Sequence, residues 1–433
     1  MSRTEAENWL RLHIAARDTV AVRQLINIFG SPGTLLEKDP NVLYPYPEDE
    51  KIRNRLIFAR SDEMNERMNK VIAVCKKNSW RIITPESEYY PKELKELKKF
   101  PFALFASGNL GLLNSPMKIS CVGTRNATQN ARAASYIFAY GLAQNDVTVV
   151  SGGALGIDSA VHMGAVNAGG NTIAVLGAGL GSDYLSQNEE LRSTIAEKGL
   201  LLSELLPFEA PSKYTFPERN RIIAALGKAC FVAQSGDTGG SMITAKRACE
   251  LRRRILVPAP EILQSDGCTA LLKNGASEIK CAADAIIDTF SGCLDVLTPE
   301  AYISLKPDFD SSVKIFGLAD FIYGKGTITQ QKPTAPKKPK KPKAEKAKKE
   351  QTPPEQTVEQ SLAESPKKEY DLDALSEPER KVFSVLSENP ISLDAISDLT
   401  EMSTDDISSA LIMLEIKEMV RSYYGDLYSA ISN

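Results

Sequence analysis

The chain has 433 residues and an ordinary apolar content of 42%, enough for more than one domain with a buried core. Its two histidines exclude a histidine-rich metal site, and its seven cysteines, without CxxC spacing, indicate reduced core thiols in a cytoplasmic protein. Because no stretch is long and apolar enough to span a membrane and no signal-peptide pattern is present, we expect neither a membrane segment nor a leader.

The net charge of −3 conceals a strongly basic tract. Residues 332–349 hold nine lysines and one glutamate, a charge of +8, so the remainder of the chain carries −11. Lysine and proline cannot build a core, and we therefore predict a Lys/Pro-rich disordered linker over 329–370. The acidic remainder argues against nucleic acid covering the whole surface, but it allows one concentrated groove.

The first 80 residues have the pattern of a small helical domain. Apolar spacing of about 3.6 predicts a helix around 9–15, and a second helical stretch, 21–40, is interrupted by the Gly-Ser-Pro-Gly sequence at 30–33. A further helix is predicted over 62–77. This order is typical of a helix-hairpin-helix or SAM-like domain, which either binds the DNA backbone or serves as a packing or oligomerisation module.

Short apolar runs alternate with helical stretches between residues 81 and 291. This alternation predicts an α/β domain with a doubly wound parallel sheet covered on both faces. The predicted strands are 118–123, 147–150, 171–177, 200–204, 229–234 and 254–259, with helices near 129–144, 158–168, 187–198, 217–226 and 241–251. Ligands of such sheets bind at the carboxyl ends of the strands, so we expect a site at that edge.

Three segments place unusual sequences at this edge: SGGALGIDSAVH at 151–162, KYTFPERNRIIAAL at 213–226 and GDTGGSMITA at 236–245. Their glycines let the backbone turn sharply or approach a ligand closely. Free N–H groups at a helix start favour an anion. These features indicate a phosphate-binding groove, although tight turns without a ligand explain the glycines equally well.

Several sequences in order make the resemblance specific: VGTRNAT, SGGALGID, GNTIAVLGAG, FPERNRIIAAL, TGGSMITAKRA and RRRILVPAP. Together they resemble the DprA/Smf family, bacterial proteins of natural transformation and DNA processing, over roughly residues 88–287. The combination of FPERNRII with GSMITA carries most of the specificity. Departures include Thr124, where serine is usual, and Gln234, where an acidic residue is common.

The resemblance implies a Rossmann-like protein that binds single-stranded DNA, protects incoming strands and loads the RecA recombinase during transformation. It also implies a homodimer formed through the Rossmann-like domain (81–291), and a binding protein without enzymatic activity, cofactor or metal. The matching positions give the candidate DNA-binding residues Gly123, Thr124, Arg125, Ser151, Gly152, Gly153, Lys213, Phe216, Arg219, Asn220, Arg221, Gly239, Gly240, Ser241 and Thr244.

The candidate residues have different chemical roles. Arg125, Lys213 and Arg219 supply positive charge, and Phe216 offers a ring for stacking a base, unless it is simply a core residue at a helix start. The alternative for Asn220 and Arg221 is to hold the loops together.

Neighbouring residues have simpler explanations. We interpret Asp158 as the cap of a helix starting near Ser159, and Glu204 as a carboxylate that braces a loop. Pro217 suits the first position of its helix, and His162 is interpreted as a buried, satisfied histidine.

Two other functions remain open at this stage. Related sheets carry nucleoside-monophosphate phosphoribohydrolases with a PGGxGTxxE motif, but the position of its catalytic glutamate is Lys246 here. The other alternative is a nucleotide-binding sensor module that uses the same pocket.

The C-terminal residues, 371–433, have the order of a winged-helix domain, with N-caps at Ser376 and Ser403 and a turn at 424–426. Residues 376–433 hold eleven acidic and four basic side chains, a charge of −7, which repels phosphates. We therefore hypothesise that this domain binds protein or docks on its own dimer. Residues 292–328 form an extension without an assigned role.

Overall fold

A computed structural model describes residues 4–16, 20–39, 50–183, 188–212, 214–290 and 297–306, with residues 317, 318 and 321. Nearer the C-terminus it describes 375–387, 391–400, 419–423 and 427–430, with isolated residues between 402 and 414. The chain divides into two compact units, residues 1–332 and 333–433, and each is described by itself. The predicted linker lies outside the described residues.

The N-terminal part is helical, as predicted. Its helices are α1 (Glu5–Ala16), α2 (Val20–Phe29), α3 (Pro32–Glu37), α4 (Glu50–Phe58) and α5 (Asp62–Lys77). The break between α2 and α3 falls at the predicted interruption, where the Ser31 hydroxyl accepts the N–H of Thr34 and caps α3. Trp9 of α1 packs against Phe100 and Phe102, which anchors the helices on the segment leading into the sheet.

The described residues of the first unit form one sheet of nine strands. The strands are β1 (Arg81–Ile83), β2 (Leu104–Gly108), β3 (Lys118–Val122), β4 (Thr148–Ser151), β5 (Thr172–Leu176), β6 (Leu200–Ser203), β7 (Ala229–Val232), β8 (Arg254–Pro258) and β9 (Ser277–Ile279). Their order is β1-β2-β6-β5-β4-β3-β7-β8-β9. All six predicted strands are confirmed as β3 to β8. The predicted strands did not include β1, β9 or β2, which pairs antiparallel with β6.

Helices cover both faces of this sheet. They are α6 (Gln129–Ala143), α7 (Ile157–Asn167), α8 (Glu189–Lys198), α9 (Thr215–Leu226), α10 (Gly240–Glu250), α11 (Asp266–Lys273) and α12 (Ala282–Phe290). Helices α6, α7 and α12 bury their apolar residues on one face, and α9 and α10 share the opposite core with the N-terminal helices. Two-sided burial explains why the parallel strands are continuous apolar runs.

The chain reverses its direction of progress across the sheet at β3. Strands β4, β5 and β6 are added on one side of β3, whereas β7, β8 and β9 lie on the other. The loops that follow β3 and β7 therefore leave neighbouring strands toward opposite faces. Such a switch point opens a crevice at the carboxyl edge of the sheet, where ligands bind in this class of fold.

The C-terminal unit contains α13 (Glu377–Val385), β10 (Ile391–Ser392), α14 (Leu393–Thr400), β11 (Val420–Tyr423) and β12 (Leu427–Ala430). Ser376 caps α13 as predicted, and its N–H donates to Glu379 in a capping box. The sheet order is β10-β12-β11, with antiparallel pairs. This order of elements is typical of a winged helix. The predicted cap Ser403 and the turn at 424–426 lie outside the described residues.

Candidate nucleic-acid interface

The loops after β3 and β7 are tied together at the switch point by Gln234. The backbone N–H of Thr124 donates to the Gln234 carbonyl at 2.8 Å, and the N–H of Thr128 donates to its side-chain oxygen at 2.9 Å. The Thr128 hydroxyl in turn accepts the N–H of Ala131 and caps α6. An uncharged side chain at the end of β7 thus holds both loops without adding a negative charge.

The loop after β4 is braced by Asp158. Its carboxylate accepts the N–H of Gly152 at 3.1 Å and that of Ala154 at 3.3 Å. The prediction that Asp158 caps a helix starting near Ser159 is wrong, because α7 begins earlier, at Ile157. Asp158 therefore lies in the first turn of α7 and reaches back to the glycine loop.

Gly156, the residue before α7, lets the loop after β3 approach this helix. Its φ is +78°, a left-handed conformation that favours glycine. A Cβ at this position would lie 2.2 Å from the carbonyl oxygen of Arg125 and 2.6 Å from that of Thr124. A side chain here would therefore displace the backbone that carries Arg125.

Arg219 points into the glycine loop rather than out to solvent. It is only 7% exposed, and its guanidinium donates to the carbonyl oxygens of Gly152, at 2.6 Å, and Val175. A Cβ on residue 152 would lie 2.6 Å from two guanidinium nitrogens and from the Asp158 carboxylate, so the loop requires glycine there. Burial raises the pKa of Asp158 above its ordinary value, and the Arg219 charge acts in the opposite direction.

Arg221 is also buried and engaged. One of its terminal nitrogens donates to both carboxylate oxygens of Glu204, at 2.6 and 2.7 Å, which ties α9 to the end of β6. Asn220 donates to the Gly240 carbonyl at 3.3 Å and so joins α9 to the start of α10. Glu204 is the loop-bracing carboxylate that the sequence indicated. We call Asp158, Glu204, Arg219 and Arg221 the inner layer of the site.

Arg125 and Phe216 form a pair on the surface. Arg125 is exposed, and its guanidinium carbon lies 5.0 Å from the centre of the half-buried Phe216 ring, within the range of a cation–π contact. The ring also packs on Gly177, where a Cβ would approach it to 2.7 Å. The predicted position of Pro217 is wrong, because α9 begins at Thr215 and the proline is its third residue.

The N-terminus of α10 completes the exposed part of the site. Gly239 precedes the helix without a side-chain cap, Gly240 is exposed, and a Cβ on Gly236 or Gly240 would meet open space. The first N–H groups of a helix have no intrahelical partner and favour an anion. We call Arg125, Phe216 and this first turn of α10 the outer layer.

Three predicted hydroxyl residues point inward. Ser151 donates to the Cys121 carbonyl at 2.7 Å, Ser241 donates to the Ser235 hydroxyl at 2.7 Å, and Thr244 donates to the Gly240 carbonyl at 3.2 Å. Their side chains shape the loops, so any contact these segments make with a ligand would use the backbone. Lys213, the other predicted cation, lies outside the described residues.

Comparison with known proteins identifies both parts of the chain. Residues 81–290 match the family model for DNA recombination-mediator protein A, and residues 366–426 match that for the DprA winged helix domain. The DNA processing protein DprA of Streptococcus pneumoniae is 40% identical over 201 residues, which cover 46% of this chain and 71% of that protein. DprA of Bacillus subtilis is 31% identical over 269 residues, 60% of this chain and 91% of the relative. The chain belongs to the DprA/Smf family.

Its fold is that of a DprA/Smf protein. The X-ray structure of DprA from Streptococcus pneumoniae superposes with a TM-score of 0.58 at 30% identity, covering 67% of this chain and 99% of that one. The family inferred from the GTR, FPERNR and TGGSMITA segments is thereby confirmed. The individual DNA-binding residues stay predictions.

His162 lies behind the inner layer of this DprA/Smf site. It is buried, as predicted, and its Nδ1 lies 2.7 Å from the Thr172 hydroxyl. The prediction that it is satisfied is wrong for Nε2, which is buried without a hydrogen-bond partner among the described residues. Burial, with a further contribution from the Arg219 charge, lowers its pKa from 6.5 to about 3. The imidazole is therefore neutral at physiological pH.

Two further searches cover the described part of the DprA/Smf chain. No group of three or more His, Cys, Asp or Glu side chains within it is arranged to hold a metal ion. None of its helices has both the length and the apolar composition needed to cross a membrane.

Sequence reasoning missed one residue that belongs to the candidate site by its contact with Phe216. Gly177 directly follows β5 and provides the surface on which Phe216 rests. Its signal was present in the sequence, because a glycine at the carboxyl end of a parallel strand lies at the edge where ligands bind.

Proposed function

We propose that this DprA/Smf protein binds single-stranded DNA along the carboxyl edge of its sheet. In this proposal it acts as a recombination mediator that protects incoming strands and loads the RecA recombinase during DNA-mediated transformation. The observation that carries it is the Arg125–Phe216 pair beside the open N-terminus of α10. A cation, an aromatic ring and backbone N–H donors are the groups that hold a single strand without reading its sequence.

The inner layer supports binding rather than catalysis. The two buried carboxylates of the site, Asp158 and Glu204, accept hydrogen bonds from the glycine loop and from Arg221. A carboxylate that is committed to bracing a loop is poorly placed to exchange protons with a substrate. We therefore propose that the strand is gripped without chemical change.

We extend the proposal to partners by the family resemblance. The protein would act in the cytoplasm as a homodimer, formed through the Rossmann-like part of the chain, with RecA as a protein partner. The C-terminal winged helix carries a charge of −7 over residues 376–433, which favours a protein over DNA as its ligand. A gel shift in which residues 371–433 alone bind duplex DNA tightly at physiological salt would refute that role.

The direct test is an oligonucleotide titration, single- against double-stranded, on the full chain, with light scattering in parallel. Arg125→Glu should weaken binding about tenfold or more, because a charge-assisted contact with a phosphate is lost and replaced by repulsion. Lys213→Glu should act in the same direction. The matched control is Lys273→Glu, which reverses an exposed charge in the last turn of α11. This residue lies near the amino ends of the parallel strands, away from the proposed site.

Each outcome separates the possible functions. Unchanged affinity in Arg125→Glu and Lys213→Glu would remove this groove from the proposed site. Binding should weaken with salt by a slope of about −0.7 per phosphate neutralised, and a flat salt response would indicate another binding mode. Saturable binding of a mononucleotide without affinity for oligonucleotides would favour a sensor, and release of the base from AMP would favour a phosphoribohydrolase.

RecA loading is tested separately. RecA is added to an oligonucleotide already bound by the wild-type protein, and the rate at which RecA coats the strand is measured. A rate no faster than on the same strand without the protein would leave strand binding intact but overturn the loading role.

A further inference from the structure

A second concave surface lies farther along the same edge of the sheet. It is a pocket of about 500 Å³ between α5 and the loop that follows β6. Arg67 and Lys70 of α5 line one wall, and Phe208 lines the other. This pocket was not predicted, because its two walls come from parts of the chain that are distant in the sequence, the N-terminal helices and the loop after β6.

One glycine loop packs against both the proposed DNA site and the pocket. This loop follows β5, and its Gly177 packs under Phe216. Four residues later Gly181 packs under Phe208, where a Cβ would lie 2.3 Å from the ring. The N–H of Gly181 donates to the Pro207 carbonyl at 2.8 Å, which fixes the two loops to each other. Four residues span at most about 14 Å, so the two rings stand a few nucleotides apart.

The chemistry of the pocket matches a nucleotide chain. Phe208 is 62% exposed, although its ring is held edge-to-face by Trp80 at 6.1 Å. Tyr214, 70% exposed, lies between Phe208 and Phe216 in the sequence. An exposed ring held in place by its neighbours is a surface on which a base stacks.

Charge adds a second, independent feature. Arg67 and Lys70 lie three residues apart on one face of α5, are both exposed, and form no ion pair with any residue that the structure describes. Glu209 is the acidic residue of the pocket, and its carboxylate accepts the N–H of Leu206 at 3.2 Å within its own loop. Two cations beside an aromatic ring suit alternating phosphates and bases.

We propose that the bound single strand continues from Phe216 over the glycine loop to Phe208, where Arg67 and Lys70 contact its phosphates. This inference rests on the proposed single-stranded DNA binding at Arg125 and Phe216. It gives the N-terminal helices a role in holding DNA through α5. It also predicts that the site is longer than the loops at the switch point alone.

The test compares oligonucleotides of about four and about sixteen nucleotides on the full chain, by fluorescence anisotropy. Phe208→Ala should weaken binding of the long oligonucleotide at least about fivefold, the low end for loss of one stacked base, and leave the short one unchanged. The double variant Arg67→Ser with Lys70→Ser should also lower the magnitude of its salt slope by about 1.4, since two phosphates lose a partner.

The matched control is the double variant Lys76→Ser with Lys77→Ser. These two exposed lysines lie on the same helix but do not line the pocket, and their substitution removes the same amount of charge. Equal weakening by both double variants would overturn the proposal, because the effect would then be a general one of charge. Long-oligonucleotide affinity unchanged by Phe208→Ala would also overturn it.

Failure of the extension can be told from failure of the proposed function. If Arg125→Glu abolishes binding while the Phe208 and α5 variants bind the long strand normally, only the extension falls. If the wild-type protein binds neither oligonucleotide, the proposed function falls with it. If the pocket variants instead change the mass measured by light scattering without changing DNA affinity, the pocket is a self-association surface and the proposal is wrong.

Discussion

The inner and outer layers of the site share the FPERNR stretch, but the charged groups are buried in the inner layer and exposed in the outer one. Arg219 and Arg221 are buried, and their guanidinium groups are engaged by loop carbonyls and by Glu204. Arg125, from another loop, is exposed and rests on Phe216. A buried, engaged charge sets the shape of a loop, whereas an exposed charge can meet a phosphate. The arginines of FPERNR thus build the site, and Phe216 of the same stretch belongs to its surface.

The largest effect that would separate the two layers is expected from removing the Glu204 carboxylate of the inner layer. We expect Glu204→Ala to lower the free energy of unfolding by about 3–5 kcal/mol, because it leaves the buried Arg221 without its carboxylate. Urea denaturation at pH 7 measures this change. The control is Glu218→Ala, whose carboxylate also lies 3.5 Å from Arg221 but whose side chain is 45% exposed. Equal losses in the two variants would contradict the structural role assigned to the buried pair.

We expect acid to lower the free energy of unfolding through the buried His162, behind the inner layer, and not through the outer layer. The pKa of His162 falls from 6.5 to about 3 on folding, so its contribution to stability is complete above pH 6.5 and is lost progressively as the pH falls toward 3. Between pH 7 and pH 5 this costs about 2 kcal/mol.

The measurement is the pH dependence of urea denaturation, compared with that of His162→Gln, which cannot titrate. The difference between the two proteins removes the contribution of carboxylates that they share. Parallel pH profiles for the two proteins would show that His162 does not supply the acid sensitivity.

The smallest effect is expected in the outer layer. Phe216→Leu keeps an apolar side chain on Gly177 but removes the aromatic face, so the melting temperature should change little. Binding of single-stranded DNA should weaken by about 1 kcal/mol, the low end for loss of a stacked base. Titration of the same oligonucleotide with Phe216→Tyr, which keeps a ring, provides the control. A large loss of stability with unchanged binding would place Phe216 in the core instead.

Local patterns predicted strands β3 to β8 well because each is a short apolar run, and glycines mark the loops after β3, β4, β5 and β7. Strands β3 to β8 and helices α6 to α10 were all expected near their observed positions. Strand β2 was not predicted, because its antiparallel pairing with β6 depends on a distant part of the chain.

The site shows the same limit more sharply. The sequence grouped Arg125 with Arg219 as positive charges for phosphates, and offered loop bracing only for Arg221, since residue type and spacing do not reveal burial. Their division into two layers depends on partners that are distant in the sequence, such as Gly152 and Val175 for Arg219. The pocket at Phe208 was missed for the same reason.

Gln234 has a consequence for the rate and affinity of the proposed strand binding. It fastens the loop after β3 to the end of β7 through two hydrogen bonds within the protein itself. A strand that binds here as proposed would meet a preorganised cleft and would not have to order these two loops. Under the proposed function, little conformational entropy would be lost at these loops on association, and we expect the rate of capture to be governed by electrostatic steering toward Arg125 and not by a slow rearrangement.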